Sequence, residues 1–123
     1  MIEEGRPLFL QIAESIEDSI VDGSLEEESR APSTNELAAF YRINPATAAK
    51  GINLLVDKQV LAKRRGVGMF VTTGARARLL TERREAFAKD YLDPLLAEAA
   101  RLRLTPDDLI AAIRQRASES ERK

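Results

Sequence analysis

Two helix starts set close together constrain this chain more than anything else in it. Ser33-Thr34-Asn35-Glu36 has the form of a capping box: the serine hydroxyl accepts from the amide of Glu36, and the glutamate carboxylate reaches back to the amide of Ser33. Asn44-Pro45 opens a second helix. Asparagine is a strong N-cap, and proline is tolerated at the first helical position because its missing N–H would have no partner there. The spacing predicts a helix over about 34 to 41, a link of about three residues, Arg42-Ile43-Asn44, and a helix over about 45 to 58, which is helix-turn-helix geometry. Val60 to Arg64 and Met69 to Thr72 then read as two short strands around Gly66-Val67-Gly68, whose glycines permit the positive φ angles of a tight hairpin. That glycine link precedes a strand, not a helix, so it is no nucleotide-binding loop.

A helix-turn-helix followed by a basic hairpin points to double-stranded DNA. The second helix of the motif would enter the major groove with its leading side chains nearest the bases. Those are Asn44, Ala46, Thr47 and Lys50. Lys50 can donate to guanine O6 or N7 or to a phosphate, Thr47 can hydrogen-bond a base or phosphate, and Ala46 or the Thr47 methyl can touch a thymine methyl. Asn44 either caps its helix alone or also meets a phosphate. Arg30, Ser33, Thr34 and Asn35, at the head of the preceding helix, suit phosphate oxygens, although the capping box competes for Ser33. Arg64 and Arg65, with Gly66 and Gly68 allowing close backbone approach, would read the shape of a minor groove from the wing.

The formal net charge of −1 conceals segregation. Residues 1–28 carry a net −8, residues 29–73 a net +5 and residues 74–123 a net +2. Positive charge lies where the DNA-reading parts lie, and local field matters more than the total. The acidic first segment is expected to be solvated surface. Cysteine and histidine are absent, which excludes disulfides, zinc sites built from those ligands, and Cys or His catalysis. No catalytic constellation is visible among the carboxylates, and no metal or cofactor is implied. The charged start, Ile2-Glu3-Glu4-Gly5-Arg6, does not resemble a signal peptide, and no apolar run approaches the roughly 20 residues of a membrane span. A cytoplasmic protein without membrane contact is expected.

Leu8, Ile12, Ile16 and Ile20 mark the apolar face of a first helix over 8 to 22, with Gln11, Glu14, Glu17 and Asp18 directed elsewhere. Leu37, Phe40, Ile43, Ile52, Leu55 and Val56 are the expected core of the helix-turn-helix. Ser24 to Pro32 reads as irregular, and Thr72-Thr73-Gly74 as a hinge. A helical tract follows over about 75 to 102, kinked at Pro94. A last short helix is capped at Thr105, and residues 118–123 should fray. Leu80, Phe87, Tyr91, Leu95 and Leu102, joined by Leu109 and Ile113 of the last helix, form an apolar stripe. Two such helices cannot enclose a core alone. They must pack on the first domain or on a second copy of the chain, and a two-fold homodimer is favoured.

Three separated motifs resemble the GntR family of bacterial transcription regulators. Pro7-Leu8-Phe9-Leu10-Gln11-Ile12 is similar to that family's first helix start, Arg30 to Ala38 to its second, and Arg64 to Val71 to its wing. Asn44-Pro45-Ala46-Thr47, Lys50 and the short tail resemble the YtrA subfamily in particular. Members of that subfamily dimerise through two helices after the DNA domain, and their genes often adjoin those of ABC transporters. The resemblance implies a homodimeric regulator, more a repressor than an activator, on an inverted-repeat operator. Many members have Arg where this chain has Asn35, Pro45 and Ala49, which implies a different operator. Met69 replaces a frequent Thr, and Arg103 stands where related tails often place Gly.

The expected architecture is mostly α with a small β-hairpin: a winged helix-turn-helix over residues 1–73 and a two-helix dimerisation tail over 74–123. A small-molecule effector, if there is one, would sit at the dimer interface or between tail and winged domain. The competing expectation is a winged-helix protein-interaction module without specific DNA binding.

Overall fold

The computed structural model describes residues 4–121. Its elements are α1 (Leu8–Val21), α2 (Thr34–Tyr41), α3 (Pro45–Asp57), β1 (Leu61–Arg64), β2 (Gly68–Val71), α4 (Ala75–Phe87), a π-helical turn (Ala88–Leu92), α5 (Asp93–Arg101) and α6 (Pro106–Glu121). The chain divides into two compact units, with the boundary between Thr81 and Glu82.

In the first unit, the i, i+4 spacing of Ile12, Ile16 and Ile20 turns one face of α1 into the core. Leu37 and Ala38 of α2, Ala48, Ile52 and Leu55 of α3, and Val60, Leu61 and Val71 of the hairpin close around them. Ala75 and Leu79 complete the cluster from α4. Gly51 lets α1 and α3 approach: a Cβ there would lie 2.9 Å from the carbonyl oxygen of Phe9. β1 and β2 pair antiparallel, from Leu61 opposite Val71 to Arg64 opposite Gly68. The stretch expected to be irregular adds a third line to this sheet. The amide of Glu28 donates to Val71 O (2.8 Å), that of Val71 to Ser29 O (2.9 Å) and that of Ala31 to Met69 O (2.9 Å).

Several expectations are corrected. Phe40 is 79% exposed, not core. Tyr41 takes the inward position instead, half-buried, with its hydroxyl 3.0 Å from that of Ser15. Gln11 and Glu17 of α1 are buried. Gln11 Nε2 donates to Arg6 O (3.0 Å), and Glu17 meets Lys58 Nζ at 2.7 Å, as a buried charge requires. The stretch expected to hinge at Gly74 is tied down, because Glu27 accepts from the amides of Gly74 (2.9 Å) and Arg76 (3.1 Å). Arg78 donates to Gln59 O at 2.6 Å.

In the second unit the helix passes Pro94 without a break. Proline cannot donate and its ring clashes with a carbonyl four residues back. The tract widens into a π turn just before it, with the amide of Asp93 bonded to Ala88 O, five residues away. α5 ends in a Schellman arrangement: Arg103 takes a left-handed φ of 60°, while Leu104 N donates to Ala99 O (2.8 Å) and Arg103 N to Ala100 O (3.2 Å). Thr105 and Asp108 form a reciprocal capping box at 2.8 and 3.1 Å. The helix it starts continues to Glu121, longer than expected, because no Gly or Pro interrupts it. Residues 122–123 of the stretch expected to fray lie outside the described residues.

Candidate nucleic-acid interface

The start of α2 is held as its sequence demands. Glu36 N donates to Ser33 Oγ (3.1 Å) and Ser33 N to Glu36 Oε1 (3.2 Å). The Ser33 hydroxyl is thereby engaged, while Thr34 is half-buried beside an exposed Asn35. Glu36 is engaged twice over, because Arg30 Nη2 also reaches its Oε1 at 2.7 Å. That hydrogen bond, then those of Ser33, hold the Glu36 carboxyl below the usual glutamate range.

At the head of α3, Asn44 Oδ1 accepts from Ala46 N at 2.8 Å, so Asn44 does cap its helix. Asn44, Ala46 and Lys50 are exposed and Thr47 is half-buried. The Lys50 ammonium lies 4.1 Å from the centre of the Phe9 ring on α1. Such a cation–π contact is worth about 0.5–1 kcal/mol at an exposed site. It parks the lysine without neutralising it.

The two wing arginines differ. Arg64 ends β1, and its guanidinium lies 3.9 Å over the Phe70 ring and 3.2 Å from Glu28 Oε2. Arg65 stands in the three-residue turn, exposed and without an ion pair among the described residues. Gly66 (φ 79°) and Gly68 (φ 106°) occupy backbone conformations that side chains disfavour. Glu28 itself takes a left-handed φ of 66°. It bonds the Thr73 hydroxyl as well as Arg64, and these contacts, Thr73 first, depress its carboxyl pKa.

Two carboxylates therefore occupy candidate interface arginines: Glu36 holds Arg30 and Glu28 holds Arg64. The net +5 of residues 29–73 is not all available to an anion, and part of the acidic first segment reaches the wing instead of standing apart as solvated surface. Arg42, Lys63 and Arg65 have no ion pair among the described residues. Sequence reasoning did not single out Glu28 or Phe70, because neither their separation from Arg64 nor their residue types carry a local signal. Arg42 had a signal: it follows α2 where a helix commonly ends in a left-handed glycine.

The family model for bacterial regulatory proteins of the gntR family matches residues 8–71, and the chain belongs to that family. Its members are transcription regulators with a DNA-binding helix-turn-helix domain, not enzymes. The chain is similar to the uncharacterised HTH-type transcriptional regulator YhcF of Bacillus subtilis, with 24% identity covering 91% of each chain. It is also similar to the HTH-type transcriptional repressor YtrA of the same organism, with 26% identity over 76% of this chain and 71% of that one. A GntR-family crystal structure from Bacteroides thetaiotaomicron superposes with a TM-score of 0.77 and 28% identity, over 92% of this chain and 98% of that one. Similarity thus extends past the wing into the tail. Among the described residues no helix is long and apolar enough to cross a membrane.

Proposed function

We propose that this regulator is a cytoplasmic homodimer that represses transcription by occupying an inverted-repeat operator. Residues 1–73 read the DNA, and residues 74–123 hold two copies together, with the first turns of α4 anchored in the winged core. Asn44, Ala46, Thr47 and Lys50 meet the major groove. Arg30, Ser33, Thr34 and Asn35 meet phosphate, and Arg65, with Arg64 behind it and Gly66 and Gly68 flanking the turn, meets the minor groove. The similar YtrA of Bacillus subtilis is a repressor. Control of a transporter operon rests on the family resemblance, and control of the regulator by a small effector rests on the two-helix tail.

The observation that carries the dimer is the apolar surface of the tail. Phe87, Tyr91, Leu102 and Ile113 are each more than half exposed within one chain, and Leu95 is exposed beside them. Leu109 is half-buried, as is Leu80 in the first unit. Exposed apolar side chains in such number mark an association surface. A two-fold pairing covers the same patch on both copies.

Sedimentation of the purified protein, joined to selection of duplexes from a random pool, tests this. A dimer is expected, and the selected sequences should show two-fold symmetry. Tyr91→Asp with Leu102→Asp should give monomers that bind a symmetric site far more weakly. A monomeric wild type, or selected sites without symmetry, overturns the dimer. Lys50→Ala and Arg65→Ala should each weaken binding, and a salt slope near zero with no effect of either rejects DNA as the target.

A further inference from the structure

Arg42 is held where its residue type does not belong. It follows α2 in a left-handed conformation (φ 56°, ψ 51°), with its own amide bonded to Ala38 O and that of Ile43 bonded to the same carbonyl at 3.0 Å. Glycine or asparagine is the ordinary occupant of such a helix end, because a Cβ there crowds the backbone. Four non-glycine residues take positive φ among the described residues: Glu28, Arg42, Gln59 and Arg103. Glu28 is bound through its side chain to Arg64 and Thr73. The Gln59 carbonyl accepts from Thr72 Oγ1 and Arg78. Arg103 lies in the tail. Arg42 is exposed, and its guanidinium has no ion pair among the described residues.

Its position gives the charge a use. One residue, Ile43, separates it from Asn44, so its Cα lies at most about 7 Å from that of the α3 cap. It therefore stands beside the cap of the helix that carries Ala46 and Lys50. Duplex DNA presents one phosphate charge per roughly 1.7 Å of its axis, so a cation beside a groove-reading helix faces phosphate. Backbone outliers concentrate where function needs them. We propose that Arg42 is a phosphate-binding residue of the interface, contributing affinity but no sequence preference. This rests on the assignment of α3 as the DNA-reading helix.

The test compares Arg42→Gly, Arg42→Lys and Gln59→Gly in the full-length protein. Lys50→Ala reports on the interface itself. Binding is titrated from about 50 to 200 mM salt on a mixed-sequence duplex and on a duplex selected by the wild type. Arg42→Gly should weaken both roughly threefold to thirtyfold and reduce the magnitude of the salt slope by about 0.9 per copy, the value for one lost phosphate contact. Its thermal midpoint should stay level or rise, because glycine suits the left-handed backbone. Arg42→Lys should retain most binding. Gln59→Gly should match the gain in midpoint and leave DNA binding unchanged. Wild-type affinity and slope in Arg42→Gly, while Lys50→Ala binds weakly, overturn the role of Arg42 and leave the interface standing. A lowered midpoint in Arg42→Gly overturns it too, by revealing a structural contact. If Lys50→Ala also binds like wild type, the interface assignment falls with it.

Discussion

Through Thr81 each helix sends side chains into one shared core, and Ile12, Ile52, Leu55, Leu61 and Leu79 are almost wholly removed from water. From Glu82 onward Ala99 alone among the described residues is buried, while Phe87, Tyr91, Leu102 and Ile113 stand open. The two regions have helices of similar length and differ in what covers their apolar faces. Helices draw most of their stability from tertiary packing, not from propensity. The winged unit has that packing within one chain. The tail has an apolar surface that a single chain leaves open, which is why its proposed partner is a second copy.

Leu55→Ala is expected to cause the largest change. The side chain is fully buried, and Leu→Ala in a core costs about 2–5 kcal/mol. Denaturant unfolding should show that loss at every protein concentration. Leu102→Ala, at a residue 62% exposed, should shift unfolding of a dilute monomeric sample by less than about 0.5 kcal/mol. It should instead weaken the concentration dependence of the thermal midpoint, since oligomerisation stabilises by mass action. If Leu102→Ala destabilised the dilute sample as much as Leu55→Ala, the contrast between the regions would be lost.

Gly51→Ala comes next. The added methyl would sit 2.9 Å from a backbone oxygen of α1, which no side-chain rotation relieves. Overpacking typically costs about 1–3 kcal/mol, against which alanine recovers about 1 kcal/mol of helix propensity. A net loss of about 1 kcal/mol is expected in unfolding measurements, with weaker DNA binding because α3 is displaced. A stabilised variant would show that the α1–α3 contact is looser than the geometry states.

What could be read in advance follows the range of the forces involved. The caps at Ser33, Asn44 and Thr105 involve partners within three residues, and all three formed. Phe40 was misplaced because i+3 and i+4 neighbours of Leu37 share a helix face, and packing against α1 selected Tyr41. The bonds of Glu17 to Lys58 and of Glu28 to Arg64 cross 41 and 36 residues. No local pattern encodes such pairs, so the acids looked like solvated charge. The candidate interface residues were legible as a set on the edges of the motif. Which of their charges stand free was not, because that depends on those distant carboxylates.

Glu28→Gln sharpens the contrast inside the winged unit between tethered and free cations. Removing the carboxylate charge frees Arg64 and takes one negative charge from beside the wing. Affinity for a duplex should rise severalfold at low salt, as expected when a like charge near phosphate is removed. Arg64→Ala should cost more affinity in the Glu28→Gln background than in the wild type. Equal losses in both backgrounds would mean that Glu28 does not restrain Arg64.

The smallest effect returns to the two regions through one helix start in each. Glu27 accepts from the amides of Gly74 and Arg76 at the head of α4, and these bonds lower its pKa. Asp108 accepts from Thr105 N at the head of α6, and the bonds with Thr105 lower its pKa in turn. A carboxyl held below its ordinary range stabilises the fold above the unfolded value, about 4.3 for Glu and 3.9 for Asp. That contribution is lost as pH falls through the lower folded value. Both groups are solvent-accessible, so each effect should be modest. Glu27→Gln should lower the thermal midpoint of the winged unit at neutral pH and flatten its decline below about pH 5. Asp108→Asn should leave that unit unchanged and flatten only the acid sensitivity of tail helicity. Parallel pH profiles for wild type and Glu27→Gln would mean that the cap contributes nothing, and that the start of α4 is held by Arg76, whose Nε donates to Val21 O at 3.0 Å, by Arg78 and by the burial of Ala75 and Leu79 alone.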